Sequence, residues 1–352
     1  MDLEINPELI ERTLALAEKG WGMTHPNPMV GALIVENGEV VAEGYHAKAG
    51  SPHAEINAFS SLGRKPKDGA VLYISMEHCS TTGRTPPCTS AILDSGIQDV
   101  VVGCIDPDSR HGGRGIEMLR EHGVTVHQAP PALEKKAIRL NMIFNHWAQS
   151  KTPLIALKMA LSANGMVAER AGYPSRVTGE IARADVMRWR RLFPAICVGS
   201  GTVIADNPAL TARLPEENWC PVRLVLDSSL LTFSDEFHPR QIYTDQYSDK
   251  TVVITTSRGL ENKEAVGKAH NLGIRIMKCG GEEDGRVSPR DFRKKVTELG
   301  LHGVYCEGGP AVARALLAAN EVDYLFHYRS SREFNSPEAM IGPDLQSLVV
   351  RE

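Results

Sequence analysis

The stretch PHAEINAFSSLGRKPKDGAVLYISMEHCSTTGRTPPC, residues 52–88, decides the fold of the first half of this chain. Its pattern predicts a helix from His53, an apolar strand over residues 70–74 and a second helix from about Pro87 to Asp94. Alternation of this kind is typical of a central sheet with helices on both faces, so we expect an α/β domain.

The same stretch carries three residues suited to binding zinc, namely His53, Cys79 and Cys88. Zinc prefers a tetrahedral set of nitrogen and sulfur donors, and a catalytic site leaves one position to water. Glu55 follows His53 by two residues, which is the order of ligand and proton-transferring glutamate in zinc nucleobase deaminases. We therefore predict a zinc-dependent hydrolytic deaminase, although eight residues separate the two cysteines here and only two separate them in that signature.

A structural zinc site is the main competing interpretation, because such sites usually have four protein ligands. His78 is the candidate for the fourth ligand, but it directly precedes Cys79, and ligation by both neighbours is geometrically awkward. The other cysteines carry no motif, and we interpret them as small core residues: Cys104, Cys197, Cys220, Cys279 and Cys306.

Outward from this stretch the alternation continues on both sides. A helix capped by Asn6 is predicted from Pro7 to about Gly20, followed by strands over residues 29–35 and 40–46 that Asn37 and Gly38 join in a tight turn. Downstream, the pattern predicts strands over residues 99–104 and 124–127, a helix over 115–121 and one long helix through Asn145.

A domain boundary is predicted at residues 150–153, because Pro153 resists continuation of the preceding helix. We therefore assign residues 1–149 to a first domain and 150–352 to a second. The second is expected to be α/β as well, with helices near residues 180–192, 260–271 and 288–299. Its predicted strands cover residues 154–161, 195–199, 222–227, 251–256, 274–277 and 303–306. The pattern alone does not give the strand order.

Composition narrows the classes of function. The 352 residues carry a net charge of -4, which argues against a broad surface for nucleic acid or an anionic membrane. No apolar run approaches the roughly 20 residues that span a bilayer, and the acidic N-terminus lacks the order of a secretory signal. Seven scattered cysteines favour a reducing compartment, so we expect a cytoplasmic protein. The sequence is also compatible with assembly of this chain into a homo-oligomer.

Beyond these patterns, the chain resembles the bifunctional deaminase–reductases of riboflavin biosynthesis. In the first half the resemblance rests on residues 24–31 (THPNPMVG), 44–46 (GYH), 52–55 (PHAE), 83–88 (GRTPPC), 106–107 (DP) and 112–115 (GGRG). In the second half it rests on residues 157–159 (LKM), 182–186 (ARADV), 201–208 (GTVIADNP), 210–213 (LTAR), 226–228 (LDS) and 307–310 (EGGP). These motifs follow the order of that family over most of the chain.

The resemblance implies a cytidine-deaminase-like three-layer domain followed by a dihydrofolate-reductase-like α/β domain. It also implies two consecutive reactions on a phosphoribosylated diaminopyrimidine. The first is a zinc-dependent hydrolytic deamination, in which Glu55 transfers protons. The second is an NADPH-dependent reduction of the ribose to a ribityl chain.

The family's site residues can be assigned to matching positions of this sequence. Glu55 and Asp206 are the expected catalytic residues. The cofactor-binding positions are Ala160, Thr202, Ser228, Gly308, Gly309 and Pro310, where the glycines and the following helix start suit a phosphate. The substrate-binding positions are Asn27, Arg84, Lys158, Arg190, Asp206, Leu210, Arg213 and Glu307. Arg190 and Arg213 suit a phosphate, because a guanidinium forms bidentate bonds. The alternative interpretation is that either arginine is a solvated charge on the surface of a helix or loop.

Several positions depart from the family's pattern. His78 and Thr81 stand where Pro and His are usual, and the second domain has Pro174, Arg176 and Asn164 where Ser, Trp and Asp are usual. Beyond Tyr328, residues 329–333 replace a usual Ala-Pro-x-Leu run. Two alternatives therefore remain, namely a deaminase with a non-reducing second domain and a nucleic-acid base deaminase. The negative net charge and the large second domain argue against a nucleic-acid base deaminase.

Overall fold

The computed structural model describes residues 3–79, 87–109, 112–170, 173, 175–234, 239–343 and 345. Backbone contacts divide the chain into two compact units, Met1–Lys151 and Thr152–Glu352. Within the described residues, none of the helices combines the length and the apolar character that crossing a bilayer requires.

The first unit is an α/β fold with five strands and six helices among its described residues. The strands are β1 (Gly31–Glu36), β2 (Glu39–Tyr45), β3 (Val71–Ile74), β4 (Asp99–Val102) and β5 (Thr125–Gln128). The helices are α1 (Pro7–Glu18), α2 (Ala54–Leu62), α3 (Cys88–Ser95), α4 (Arg114–Glu121), α5 (Pro131–Leu140) and α6 (Met142–Ser150).

The five strands form one mixed sheet in the order β2-β1-β3-β4-β5. Strand β1 is antiparallel to both β2 and β3, and β3, β4 and β5 are mutually parallel. The carboxyl ends of β2, β3 and β4 therefore lie on the same edge of the sheet as the amino end of β1. Loops that follow these three strands, and the residues just before β1, are brought together at that edge.

Local signals in the sequence account for most of these elements. Asn6 caps α1, because its side-chain oxygen accepts a hydrogen bond of 2.9 Å from Glu8 N–H. Asn37 and Gly38 both have positive φ, as a tight turn between two antiparallel strands requires. The predicted hairpin of β1 and β2 is confirmed.

The prediction of one long helix through Asn145 is wrong, because the helix is interrupted at Asn141. The buried side chain of Asn141 bonds the backbone of Met29 in both directions, with Oδ1 accepting from N–H at 2.7 Å and Nδ2 donating to the carbonyl at 2.8 Å. This pairing replaces helical continuity and fixes the segment that enters β1.

The second unit contains the remaining strands and helices. The strands are β6 (Leu154–Leu161), β7 (Met166–Ala168), β8 (Ala195–Gly199), β9 (Ala212–Arg213), β10 (Asn218–Trp219), β11 (Val222–Leu226), β12 (Thr251–Thr255), β13 (Arg275–Lys278), β14 (Gly303–Cys306), β15 (Tyr324–Arg329) and β16 (Met340–Ile341). The helices are α7 (Glu180–Leu192), α8 (Ser200–Asp206), α9 (Gln241–Thr244), α10 (Ser257–Glu261), α11 (Lys263–Asn271), α12 (Pro289–Glu298) and α13 (Pro310–Ala318), with short 3-10 helices at Leu231–Phe233 and Ser248–Lys250.

Seven of these strands form a parallel sheet in the order β13-β12-β11-β8-β14-β6-β15. The sequence predicted six of the seven and missed β15, which pairs with β6 at the end of the sheet. The carboxyl ends of all seven strands lie on one edge, and in open α/β sheets ligands bind at that edge.

One fully buried arginine organises the loops beside this sheet. Arg223 on β11 is 0% exposed and forms a bidentate ion pair with Asp245 at 2.7 and 2.8 Å. Its guanidinium also donates to the carbonyl oxygens of Ala209, Ile242 and Tyr247 at 3.0, 2.9 and 2.7 Å. A buried charge is tolerated only when its hydrogen bonds are satisfied in this way. Because Ala209 directly precedes Leu210, Arg223 also fixes a loop that carries predicted site residues.

We expect Arg223→Met to lower the stability of the second unit by about 3–5 kcal/mol, since it removes the ion pair with the half-buried Asp245 and the hydrogen bonds to three carbonyl oxygens. Hydrogen exchange of the amides in β8, β11 and β12 measures this change. Arg170→Met is the control, because the pair of Arg170 with Glu338 is exposed, with relative side-chain exposures of 55% and 57%. It should change stability by less than about 1 kcal/mol. Equal protection in both variants would contradict the assignment.

Candidate active sites

The edge of the first sheet brings three side chains with metal-binding atoms together. Cys79 follows β3, His53 directly precedes α2 and Cys88 is the first residue of α3. One ligand atom from each residue lies within 4.8 Å of the others, with His53 Nδ1 3.2 Å from Cys88 Sγ and 3.6 Å from Cys79 Sγ. The donor set is one nitrogen and two sulfurs, which is the set that zinc prefers.

Close backbone packing places His53 at this edge. A Cβ on Gly44 would lie 2.3 Å from both Ala54 O and Ala58 N, so α2 packs directly on the backbone of β2. Asn57 Nδ2 also donates to Tyr45 O at 2.8 Å, which links the first turn of the helix to the end of the strand. The glycine is therefore needed for this close approach, and the position of His53 follows from it.

The thiol groups have strongly shifted pKa values. A hydrogen bond from Cys88 is the largest cause that lowers the pKa of Cys79, to about 4, while the same bond and burial raise the pKa of Cys88. The hydrogen bond with Cys79 raises the pKa of His53. The backbone N–H of Cys88 also donates to Cys79 Sγ at 3.3 Å. The site therefore stabilises thiolate at Cys79, and thiolate is the form that binds metal.

Glu55 lies in the first turn of α2, beside the three donor residues, and is only 2% exposed. Burial raises the pKa of this carboxyl to about 7. A carboxyl group that titrates near neutral pH can both accept and release a proton under physiological conditions. This position therefore suits proton transfer.

A cavity of about 210 Å³ opens onto these groups. Its wall includes Glu55, His53 and Cys79 together with Asn27, His46, Asp106, Asp108 and Phe144. Asn27 Nδ2 lies 3.4 Å from His46 Nε2, and the other ring nitrogen of His46 lies 3.1 Å from Pro52 O. The amide of Asn27 therefore faces the same cavity as the metal-binding atoms.

Glu77 is a functional candidate that sequence reasoning did not identify beyond its place in the motif. The side chain is buried and accepts backbone N–H bonds from Asp106, Gly113 and Gly115 at 3.1, 2.9 and 3.0 Å. A carboxylate at a helix start is favourable, and here it ties α4 and the loop after β4 to the segment before Cys79. In the sequence, the only signal for Glu77 was an acidic residue two positions before a cysteine.

The departures from the family pattern fall partly within the described residues. His78 is buried, and a Cβ on Gly115 would lie 3.1 Å from its ring. His78 is not part of the described group of metal-binding atoms. The predicted substrate residue Arg84, together with Thr81 and Pro174, lies outside the described residues.

In the second unit, an ion-pair cluster forms around Glu307, directly after β14. Arg190 Nε and Nη2 donate to the two carboxylate oxygens at 2.6 and 3.1 Å, and Lys158 Nζ lies 3.8 Å from Oε2. These cations, Arg190 first, lower the pKa of Glu307 against the opposing effect of its burial. Arg190 Nη1 also donates to Thr211 O at 2.9 Å, so this arginine joins β14 to the loop of residues 209–213.

Other predicted residues of the second unit lie around the same sheet edge. Asp206 ends α8, and burial raises the pKa of its carboxyl while Lys158 opposes this effect. Leu210 is buried with a φ of 52°, a strained value for a branched residue that is typical of functional loops. Arg213, by contrast, has an exposed side chain.

The predicted cofactor positions are divided between two helix starts and a strand end. Gly309 precedes α13, and a Cβ there would lie 3.4 Å from Thr202 Oγ1 on α8. Ser228 follows β11 and lines a cavity of about 510 Å³ that also includes residues 199–201. Gly308 and Pro310 flank Gly309, and Ala160 lies near the carboxyl end of β6.

Asn164 has a structural role in the turn between β6 and β7. It accepts a hydrogen bond from Ser162 Oγ at 2.7 Å and exchanges two bonds with the backbone of Phe334, at 3.0 and 3.1 Å. This departure from the family pattern is therefore satisfied locally. Arg176 is exposed.

Comparison with known proteins gives two family matches. The RibD C-terminal domain matches residues 153–330, and the cytidine and deoxycytidylate deaminase zinc-binding region matches residues 4–104. The riboflavin biosynthesis protein RibD of Actinobacillus pleuropneumoniae is 38% identical over 91% of this chain and 82% of that protein. RibD of Aquifex aeolicus is 37% identical over 89% and 83%.

Solved structures agree with these matches. RibD of Acinetobacter baumannii covers 96% of this chain and 91% of its own with a TM-score of 0.77 at 28% identity. The diaminohydroxyphosphoribosylaminopyrimidine deaminase/5-amino-6-(5-phosphoribosylamino)uracil reductase of Thermotoga maritima covers 97% and 92% with a TM-score of 0.80 at 30% identity. None of these findings favours a non-reducing second domain or a nucleic-acid base deaminase. The chain belongs to the RibD family of riboflavin biosynthesis, in which a zinc-dependent deaminase is joined to an NADPH-dependent reductase.

Proposed function

We propose that this chain catalyses two consecutive reactions on a phosphoribosylated diaminopyrimidine, hydrolytic deamination by residues 1–149 and reduction of the ribose by residues 150–352. The relative from Thermotoga maritima is named for these two activities. The convergence of His53, Cys79 and Cys88 beside the buried Glu55 is the observation that carries the proposal.

His53, Cys79 and Cys88 would hold the zinc ion. Three protein donors leave one tetrahedral position open, which distinguishes a catalytic from a structural site. When bound, zinc supplies Lewis acidity and lowers the pKa of water that it coordinates. The protein's contribution is a pre-arranged donor set, one side of which is the cavity that admits the substrate.

Glu55 transfers the protons in this proposal. It takes a proton from the attacking water and later delivers one to the departing amine, which leaves as ammonia. A carboxyl whose pKa is about 7 is suited to both transfers. Asn27 faces the cavity and orients the pyrimidine by hydrogen bonding, and Arg84, outside the described residues, is retained as a substrate contact from the family resemblance.

In the second unit, Ala160, Thr202, Ser228, Gly308, Gly309 and Pro310 would hold NADPH. Of these residues, Ser228 lines the cavity of about 510 Å³ at the carboxyl ends of β8 and β11, the edge at which open α/β sheets bind ligands. NADPH supplies the hydride. Lys158 and Asp206 lie near the Arg190–Glu307 pair and are the polar groups that we assign to the ribose, with Asp206 as the proton-transferring group.

Arg190 and Arg213 have different roles in this assignment. Three nitrogen atoms of Arg190 are bonded to Glu307 and Thr211 O, so Arg190 holds Glu307 in place against the substrate. Arg213 is exposed in the same loop and remains available to clamp the phosphate. Leu210 precedes Thr211 in this loop, and we assign it an apolar contact with the substrate from the family resemblance.

The proposal includes a small-molecule substrate, no nucleic-acid partner and a cytoplasmic location. A cavity of about 210 Å³ and a net charge of -4 suit a small molecule better than a polyanion. The number and spread of the seven cysteines favour a reducing compartment.

Cys88→Ser should reduce zinc content well below one ion per chain, because a serine oxygen is a poor replacement for a thiolate. Inductively coupled plasma mass spectrometry of the purified protein measures this content. Cys104→Ser is the matched control, since Cys104 is also buried in the first unit but is outside the metal group. Full zinc occupancy in Cys88→Ser would remove this residue from the ligand set.

Glu55→Gln should retain zinc yet slow ammonia release by about 10²- to 10⁴-fold, the usual contribution of a positioned proton-transfer group. Ammonia release from the diaminopyrimidine substrate and zinc content are measured on the same sample. Glu117→Gln, on the exposed face of α4, should be unaffected. Undiminished turnover in Glu55→Gln is the outcome that rejects the mechanism.

Asp206→Asn should slow substrate-dependent NADPH oxidation by about a hundredfold or more and leave ammonia release unchanged, because the reactions are assigned to different units. Absorbance at the nicotinamide band follows the reduction. Asp249→Asn, an exposed acid in the same unit, is the control. A parallel loss of both activities would contradict the division of labour.

A further inference from the structure

A short hairpin of the second unit carries Arg213, the arginine assigned above to the substrate's phosphate. Its strands, β9 and β10, have two residues each, and residues 215–218 are exposed. In the pairing, Ala212 lies opposite Trp219, and Arg213 lies opposite Asn218. An isolated two-stranded hairpin is only marginally stable in water. The orientation of Arg213 therefore depends on how the hairpin is attached to the rest of the unit.

The two faces of this hairpin have different surroundings. Trp219 contacts a side chain of α7, and its partner Ala212 is fully buried, so these two residues form the inner face. Successive residues of a strand point to opposite faces. Arg213 and Asn218, which are exposed, therefore lie on the outer face. A contact that holds the inner face against α7 also fixes the direction of the Arg213 side chain.

Arg191, in the last turn of α7, supplies such a contact. Its side chain is only 5% exposed, and its Nε donates to Glu217 Oε1 at 2.5 Å. Its guanidinium carbon lies 4.8 Å from the centre of the Trp219 ring. The attraction between an arginine and an aromatic ring is stronger when the guanidinium is removed from water. Arg191 thus holds both the turn of the hairpin and its returning strand.

Two further contacts of α7 hold the entering strand. Arg213 N–H donates to Met187 Sδ at 3.4 Å, and Arg190 Nη1 donates to Thr211 O at 2.9 Å. The hairpin is therefore attached to α7 along both of its strands. Because Arg190 also binds Glu307, the same helix fixes the position of the Glu307 carboxylate and that of the hairpin.

We propose that Arg191 is a positioning residue of the reductase, which holds the hairpin in the orientation that lets Arg213 bind the phosphate of the substrate. This inference rests on the proposed function, since it needs a phosphate at Arg213. A planar guanidinium suits the role, because it can pair with a carboxylate at its edge and stack on an indole with its face. The phosphate is at the opposite end of the ribose from the carbon that accepts the hydride. Losing this orientation should therefore weaken substrate binding more than it slows hydride transfer.

The test compares KM and kcat of NADPH oxidation for the phosphorylated, deaminated substrate and for its dephosphorylated form, on the full chain. Arg191→Met should raise the KM of the phosphorylated substrate by about tenfold and change kcat by less than about threefold, because it weakens a charge-assisted contact that does not involve the reacting carbon. The KM of the dephosphorylated form and the rate of ammonia release should be unchanged. Arg191→Lys, which keeps the charge but not the planar stack, should give an intermediate KM.

Milder variants remove the two partners of Arg191 one at a time and guard against loss of folding. Glu217→Gln and Trp219→Leu should each raise the KM of the phosphorylated substrate, by less than Arg191→Met does. Arg183→Met is the matched control, because Arg183 lies on the same helix and its pair with Glu180 is exposed. It should leave all of these constants unchanged.

Arg213→Gln is the reference for loss of the phosphate contact. It should remove the preference for the phosphorylated substrate, and adding Arg191→Met to it should have little further effect, since both changes act on one contact. An equal rise of KM for both substrate forms in Arg191→Met, or a full additional effect on top of Arg213→Gln, overturns the positioning role. A phosphate preference that persists in Arg213→Gln overturns the proposed phosphate contact itself, so the two failures are distinguishable.

Discussion

The convergence of strand ends at one edge of a sheet is the constraint on which both candidate sites depend. In the first unit, β2, β3 and β4 run in the same direction, so the residues that follow them, and those that precede β1, meet at that edge. His53, Cys79 and Asn27 are far apart in sequence and face one cavity for this reason. The parallel sheet of the second unit acts in the same way on Glu307, Ser228 and Thr202.

The burial of charged side chains at these edges then determines their pKa values and the loops that they hold in place. Burial is the largest cause that raises the pKa of Glu55 to about 7, and it outweighs the lowering effect of the neighbouring His53 imidazole. Glu307 is largely enclosed as well, yet Arg190 and Lys158 lower the pKa of its carboxyl against the effect of burial. Arg223 fixes the loop before Leu210, and Glu77 accepts a hydrogen bond from Asp106 N–H, in a loop that lines the first cavity. The free-energy cost of burying a charge thus suits Glu55 to proton transfer. The same cost requires Glu307, Arg223 and Glu77 to keep their partners, which holds the neighbouring segments in place.

The sequence predicted the zinc-binding residues because their chemistry and their location at element ends coincide. His53 and Cys88 stand at helix starts that the apolar pattern revealed, and their type admits few other roles. Strands β6, β8 and β14 were predicted to the residue, because they are fully or nearly fully buried and bounded by turn residues. The metal-binding group thus followed from local signals.

The rest depended on contacts distant in sequence. Asn141 interrupts a helix through the backbone of Met29, more than a hundred residues earlier, and nothing local to Asn141 reveals this. Strand β15 is mostly exposed or half-buried, and its partner β6 lies more than 150 residues earlier in the sequence. Arg223 resembles a surface charge in the sequence, since its partners belong to loops whose positions only the fold determines.

The central claim is that one imidazole and two thiolates bind zinc and leave room for water. Zinc K-edge X-ray absorption of the purified protein tests it most directly. The account predicts two sulfur neighbours at about 2.3 Å and two nitrogen or oxygen neighbours at about 2.0–2.1 Å, one from His53 and one from solvent. A shell with a single sulfur, or with three or more, would contradict it.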